Sequence, residues 1–278
     1  MSDATSATAG SIRQSVIERM VGKFVGPSAR HGRVTNRLDM ENVTKRYGET
    51  IALENASVAF RPGIHTILGE NGSGKSTMLK LLSGVVAPSE GRILLNGNPV
   101  SPRNPRDMQD LGLSTVFQEV LIAPHRSVVE NIFLGYDQPF RRRISKADRA
   151  KLAGELLGSI SRFPVPLDVP AGELPLATQQ LVVLARAFVR LPSILLLDEA
   201  TAALDYADRD MVFEIVEDYA AAGNIVIFIS HRLEEVKRLS HKVTVLRSGR
   251  IVETLEEGDI SSEKLLKLMA PEVAAHVR

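Results

Sequence analysis

The sequence predicts an α/β fold in which a mixed β core lobe carries an inserted α-helical subdomain. Three observations predict it. The strand-like "IHTILG" runs directly into "ENGSGKST" and then into an apolar helical run. The continuous apolar segments "SILLLDEA" and "NIVIFIS" read as strands buried on both faces, as parallel sheets require. Between these strand regions, residues from about 104 to 190 change to helical and proline-rich text.

Bulk numbers narrow the function classes. The chain has 278 residues, of which 44% are hydrophobic and 24% charged, an ordinary globular balance with enough apolar material for a sizeable core. A net charge of +1 gives no global basic field for nucleic acid. The absence of cysteine removes disulfides and thiolate metal sites and fits a reducing cytosol. The apolar runs fall far short of the roughly 18 to 20 residues of a membrane span. The opening "MSDATSATAGSIRQ" has no apolar signal core.

Taken in order, residues 1–37 read as an N-terminal extension. A small, polar start is expected to be disordered. Ile12, Val16, Ile17 and Met20 then suggest a short amphipathic helix, and "VGPSARHGRVTN" reads as a linker. Residues 38–260 read as the main domain. Its strands include "IHTILG", "GRILLNGNPV" turning at Asn96-Gly97, and "LSTVFQ". The helical subdomain, about 104–190, holds "KADRAKLAGELLGSI" and "FPVPLDVPAGELP". Strands return at "SILLLDEA", "NIVIFIS" and "HKVTVLRSGRIVE", the last folding back at Ser248-Gly249. Residues 261–278 read as a helical tail whose "SEKLLKLMAPE" faintly echoes the early "SVIERMVGK". Arg141, Arg142 and Arg143 beside Phe140 are either a solvated face or a contact for anionic headgroups or a membrane subunit.

The chemistry concentrates at strand ends. Gly69, Glu70, Asn71, Gly72, Ser73, Gly74, Lys75 and Ser76 form the G-x-x-x-x-G-K-S pattern, followed by Thr77, between a strand and a helix. Glycines let backbone N–H groups converge on phosphate oxygens, Lys75 reaches the β and γ phosphates, and the Ser76 hydroxyl binds Mg²⁺. Asp198 and Glu199 end an apolar strand, placed to hold Mg²⁺ through water and to orient and deprotonate an attacking water. Gln118 and His231 end two further strands that feed the same crevice, His231 as a γ-phosphate contact. No His and acidic cluster has the spacing of a dedicated metal site, so Mg²⁺ arriving with a nucleotide is the metal implied.

Together with Tyr47, "FQE", "LARA", "LLLDEATAALD" and "ISHR", this ordered set resembles the ATP-binding subunit of ABC transporters over about Leu38 to Gly258. The resemblance implies a P-loop NTPase of the ABC ATPase type. It implies that Tyr47 stacks on adenine, that Gln118 senses Mg²⁺ and touches the membrane subunit, that Asp205 is the D-loop aspartate, and that His231 is the switch histidine. "VFQEVLIAPHRSVVENIFLG" is similar to the branch that imports ribose, xylose and related monosaccharides. The implied partners are a transmembrane permease, a second ATPase subunit and, indirectly, an external substrate-binding protein, at the cytoplasmic face of the membrane. That branch usually carries two ATPase halves in one chain, whereas this chain holds one phosphate loop. "SVIERMVGK" resembles the segment closing one such half, or else is a surface helix.

One departure stands out. In "ELPLATQQLVVLARAF", Pro175 and Thr178 precede a run with Leu181, Leu184, Ala185 and Phe188 at helical spacing. The family carries an LSGGQ-like signature here, whose serine and glycines clasp the γ-phosphate bound by the opposite subunit; this chain reads Leu174-Pro175-Leu176-Ala177-Thr178. Proline offers neither hydroxyl nor N–H, and Leu176 and Ala177 crowd the backbone. The expectation is therefore a heterodimer whose partner carries an intact signature. The alternatives are a nucleotide-binding regulatory subunit with little turnover, or a non-transport ABC switch protein. Ala200 replaces the proline usual after the Asp-Glu pair.

Overall fold

The computed structural model describes residues 14–25, 36–136 and 144–269. The expected disordered start, most of the linker, Arg141 to Arg143 and the tail beyond Met269 lie outside the described residues.

Helix α1 (Val16–Val25) comes first. Strands β1 (Leu38–Tyr47) and β2 (Thr50–Phe60) pair, β3 (Gly63–Leu68) leads into α2 (Lys75–Leu82), and β4 (Glu90–Leu95) turns into β5 (Asn98–Val100). Helix α3 (Pro105–Asp110) precedes β6 (Leu113–Val116), followed by α4 (Val128–Ile132), α5 (Lys146–Ile160) and α6 (Leu176–Phe188). Then come β7 (Ile194–Asp198), α7 (Tyr206–Ala221), β8 (Ile225–Ile229), α8 (Leu233–Leu239), β9 (Lys242–Arg247), β10 (Arg250–Glu256) and α9 (Ser262–Met269).

A six-stranded sheet has the order β10-β9-β3-β8-β7-β6, parallel except for β10 at its edge. An antiparallel sheet, β2-β1-β4-β5, lies against it. The alternation hidden in "ILLL" is now visible. Ile194 and Leu196 face the antiparallel sheet and α2, packing with Leu38, Met40, Phe60 and Met78, whereas Leu195 and Leu197 face α6 and α7 among Phe188, Phe213 and Tyr219. Both faces are covered, so the strand reads as a continuous apolar run. Each buried Leu or Phe side chain contributes about 1.5 to 3 kcal/mol.

Both hairpin turns form where expected. Asn96 and Gly97 have φ of 50° and 78°, Ser248 and Gly249 of 49° and 76°, the paired positive values of a two-residue turn matched to strand twist.

Two expectations are corrected. The segment from about 104 to 190 is not helical throughout. β6 lies within it and pairs in parallel with β7, because Leu113 and Val116 complete the buried edge of the core sheet. Nor is the early "SVIERMVGK" a surface helix. Ile17 and Val21 are fully buried in the large core, and Ser15 and Glu18 cap α1 reciprocally, each side chain accepting from the other's backbone N–H at 3.1 Å. The second Glu18 oxygen accepts from Asn224 Nδ2 at 3.1 Å, at the threshold of β8. α1 therefore ties α5 to α7 as part of the core.

Candidate functional site

Parallel strands end at one edge of a sheet. The segments after β3, β6, β7 and β8 accordingly meet there around a cleft of about 940 Å³. Gly69 to Gly72, Gly74 to Thr77, Gln118, Asp198, Glu199 and His231 all line it. Residues spread over more than 160 positions of sequence thus share one cavity.

The loop after β3 is held from beneath. Gly249 N donates to Ser73 O at 3.0 Å, and a Cβ on Gly74 (φ 107°) would come within 2.9 Å of Ala52 O, so only glycine fits there. Gly74 is also the N-cap of α2 and supplies no side-chain cap, which leaves the first-turn N–H groups open toward an anion. Ser73 is the one loop residue that does not line the cleft. It is 5% exposed, and its hydroxyl is buried without a hydrogen-bond partner.

Lys75 is buried, and its Nζ donates to the carbonyls of Gly69 at 2.6 Å and Glu70 at 2.9 Å. Burial pushes its pKa down, opposed by the charges of Glu199, Asp198 and Glu70. Asp198 ends β7, and burial together with the neighbouring Glu199 raises its pKa to about 6 against the pull of Lys75 and Lys80. Glu199 stands at φ 46°, a left-handed conformation rare for a residue with a side chain, and its N–H donates to Ile229 O at 3.0 Å. That posture turns its carboxylate into the cleft. Oε1 lies 2.9 Å from His231 Nδ1, and Oε2 accepts from Gln118 Nε2 at 3.3 Å.

Ser76 and Asp198 present hard oxygen donors to one cavity. A carboxylate whose proton affinity is raised by burial and a neighbouring anion is a position that a divalent cation would relieve, so the donor set fits Mg²⁺. Among the described residues no group of three or more His, Cys, Asp or Glu forms a separate ion site.

Two expected positions differ, and Asp205 takes a capping role. Tyr47 does not line the cleft. It sits 44% exposed at the end of β1 with Lys45 Nζ 5.2 Å above its ring, and the walls near the loop come instead from Thr50, Ile51 and Ala52 with Ser248, Gly249 and Met269. Asp205 is exposed and spends its Oδ1 capping α7, accepting from Asp208 N at 2.9 Å. Helix α6 begins at Leu176, so Thr178 lies inside the first turn and only Pro175 precedes the helix, as an N-cap with no side-chain cap bond. Leu176 is 60% exposed, and none of residues 174–178 lines the cleft of their own chain. The additional wall residues carry no motif. Only the hairpin turn at Ser248-Gly249 marks two of them in the sequence.

The comparisons with known proteins agree with this geometry. The ABC transporter family matches residues 53–202. A ribose import ATP-binding protein RbsA 1 from Rhizobium johnstonii is 38% identical over 231 residues, covering 83% of this chain and 45% of that protein. Another from Mesorhizobium japonicum is 39% identical over 243 residues, covering 86% and 46%. The chain thus spans somewhat less than half the length of these curated relatives. A dimeric bacterial ABC transporter cassette superposes with a TM-score of 0.71 at 27% identity, covering 79% of this chain and 98% of that one. A bacterial ABC exporter with ATP bound gives 0.72 at 27%, covering 89% and 44%.

Proposed function

The chain belongs to the ABC transporter family, and from that premise we propose that it is the ATP-binding and hydrolysing subunit of an importer for a sugar of the ribose type. The observation that carries this reading is the convergence of Lys75, Ser76, Asp198, Glu199, Gln118 and His231 on one cleft. The names of the ribose import relatives support the sugar class.

The residues divide the work. Backbone N–H groups of the loop after β3 and of the first turn of α2 hold the β and γ phosphates, with Lys75 leaving its carbonyl partners to reach them. Ser76 and Asp198 would hold Mg²⁺, which would supply charge neutralisation on the phosphate oxygens. Glu199 orients the attacking water and takes its proton, and His231 and Gln118 fix the Glu199 carboxylate through its two oxygens. Tyr47 remains the adenine contact in this reading, turning onto the base from its exposed position.

No helix among the described residues is long and apolar enough to cross a membrane. In this reading the membrane path belongs to a permease, and the chain works at its cytoplasmic face. A groove of about 310 Å³ beside Gln118, rimmed by the exposed Leu121 and Leu134, suits a permease segment. The α6 start at Pro175 favours pairing with a second ATPase unit that carries an intact signature, and it also keeps open a regulatory role with little turnover.

Nucleotide binding by the purified chain tests the core of the reading. Lys75→Ala is expected to weaken Mg-ATP binding by about 10- to 100-fold, the loss of one charge-assisted hydrogen bond. Unchanged affinity overturns it. In the assembled transporter, Glu199→Gln should hold ATP and stop sugar uptake, whereas unchanged uptake would leave only the regulatory role.

A further inference from the structure

We propose that Glu235, outside the cleft, is a positioning residue that holds the Glu199 and His231 loops in register, an inference that rests on the hydrolytic reading above. Glu235 lies on α8, is 4% exposed and does not line the cleft. Its carboxylate is a meeting point for both loops. Ser230 Oγ donates to Oε2 at 2.7 Å, while Thr201 Oγ1 and Arg232 Nη1 donate to Oε1, each at 3.4 Å. Arg209 Nη1 of α7 stands 3.8 Å from the same Oε1.

The positions of these donors carry the argument. Ser230 and Arg232 flank His231 on either side, and Thr201 lies two residues past Glu199. Ser230 Oγ also accepts from Arg232 N at 3.1 Å, so the turn that presents His231 closes around the hydroxyl that Glu235 holds. Thr201 and Ser230 are each 2% exposed, so neither hydroxyl has bulk water to turn to. A single carboxylate, with about four acceptor sites, can satisfy two hydroxyls and two guanidinium groups together; an amide is neutral and replaces one acceptor by a donor, which meets either the Ser230 hydroxyl or the arginine side. The 2.9 Å approach of His231 to Glu199 spans two loops, and Glu235 anchors both.

The test is single-turnover hydrolysis of Mg-ATP by the assembled transporter in excess over nucleotide, alongside equilibrium ATP binding, for Glu235→Gln, Glu235→Asp, His231→Ala and the pair of Glu235→Gln with His231→Ala. Glu235→Gln is expected to lower the hydrolysis rate at least 10-fold while ATP affinity stays within about twofold, with partial recovery in Glu235→Asp. On the His231→Ala background the same change should cost less than twofold, because a residue acting through the His231 and Glu199 pair has nothing left to position. Ser230→Ala, which removes one bond and no charge, should show the same rate-without-affinity split in milder form. Wild-type turnover in Glu235→Gln, or equal losses in both backgrounds, overturns this inference alone. An assembled wild-type transporter that binds Mg-ATP and never hydrolyses it overturns the hydrolytic reading and this inference with it.

Discussion

His231 Nδ1 and Glu199 Oε1 stand 2.9 Å apart although 32 positions separate them, and the left-handed backbone of Glu199 is what turns its carboxylate toward the imidazole. The contact joins the ends of β7 and β8, neighbouring parallel strands in which Asp198 pairs with Ile229. A base oriented by a second polar group is what general-base activation of water requires. Glu199→Gln and His231→Ala should therefore each lower hydrolysis by about 10² to 10⁴, with ATP affinity nearly unchanged. Rates and affinities measured on the same preparations check this. A large loss of affinity in either variant would assign the pair to binding instead.

Asp198 predicts a pH dependence whose sign can be worked out. Its carboxyl titrates near 6 in the folded chain, above the ordinary 3.8, because burial and Glu199 disfavour its charge. The folded state therefore holds the proton more tightly than the unfolded one. The stability this confers is fully present below about pH 4 and is lost as pH rises through about 6. Asp198→Asn, neutral at every pH, should melt level with the metal-free wild type below about pH 4 and above it beyond pH 6. Parallel melting curves across this range would remove the assignment. Mg²⁺ should close the gap by stabilising the wild type alone.

The packing of α1 predicts a stability effect far from the cleft. Ile17 is fully buried in the large core, and the helix that carries it is capped by Ser15 and Glu18 and tied to Asn224. Ile17→Ala removes three methyl or methylene groups from a packed site and should cost about 2 to 5 kcal/mol in denaturant unfolding. A loss under about 0.5 kcal/mol would mean that α1 folds against the domain only loosely.

What could be read from sequence was what the chain writes locally. The loop from Gly69 to Ser76 needs glycines at 69, 72 and 74 and a lysine, and Asp198, Glu199, Gln118 and His231 each end a recognisable apolar strand, so their convergence follows from parallel topology. Two-residue turns at Asn96-Gly97 and Ser248-Gly249 are equally local. What stayed hidden depends on tertiary placement. The strand "LSTVFQ" was legible, but its membership of the core sheet beside β7, inside a stretch that otherwise reads as helical, was not. Ile51 and Met269 reach the cleft from strands and helices that carry no polar signature. Glu235 looks like any acid in a helical first turn until Thr201 and Ser230 arrive beside it. Ile17 and Val21 suggested amphipathicity, but only the α5 and α7 surfaces could show what their apolar face was for.

The start of α6 gives the last prediction. In the family a serine hydroxyl and glycine N–H groups at this helix start clasp the phosphate of an opposing subunit; here Pro175 caps the helix with no side-chain bond, and Leu176 stands exposed. Two missing charge-assisted hydrogen bonds, at about 1.5 to 3 kcal/mol each, weaken such a clasp by roughly 10² to 10⁴. Combining P175S, L176G, A177G and T178Q restores the donors. Melting temperature is a poor readout, since a serine N-cap adds about 1 kcal/mol while two glycines in the first turn take away up to about 2, partly offsetting changes unrelated to the clasp. Association is the better one. With Glu199→Gln present to hold ATP, the restored chain should dimerise on adding nucleotide and the unrestored chain should stay monomeric at the same concentration, read by size-exclusion chromatography with light scattering. Should the unrestored chain dimerise as readily, the proline would be no obstacle to self-pairing, and the need for a second kind of ATPase unit would fall away.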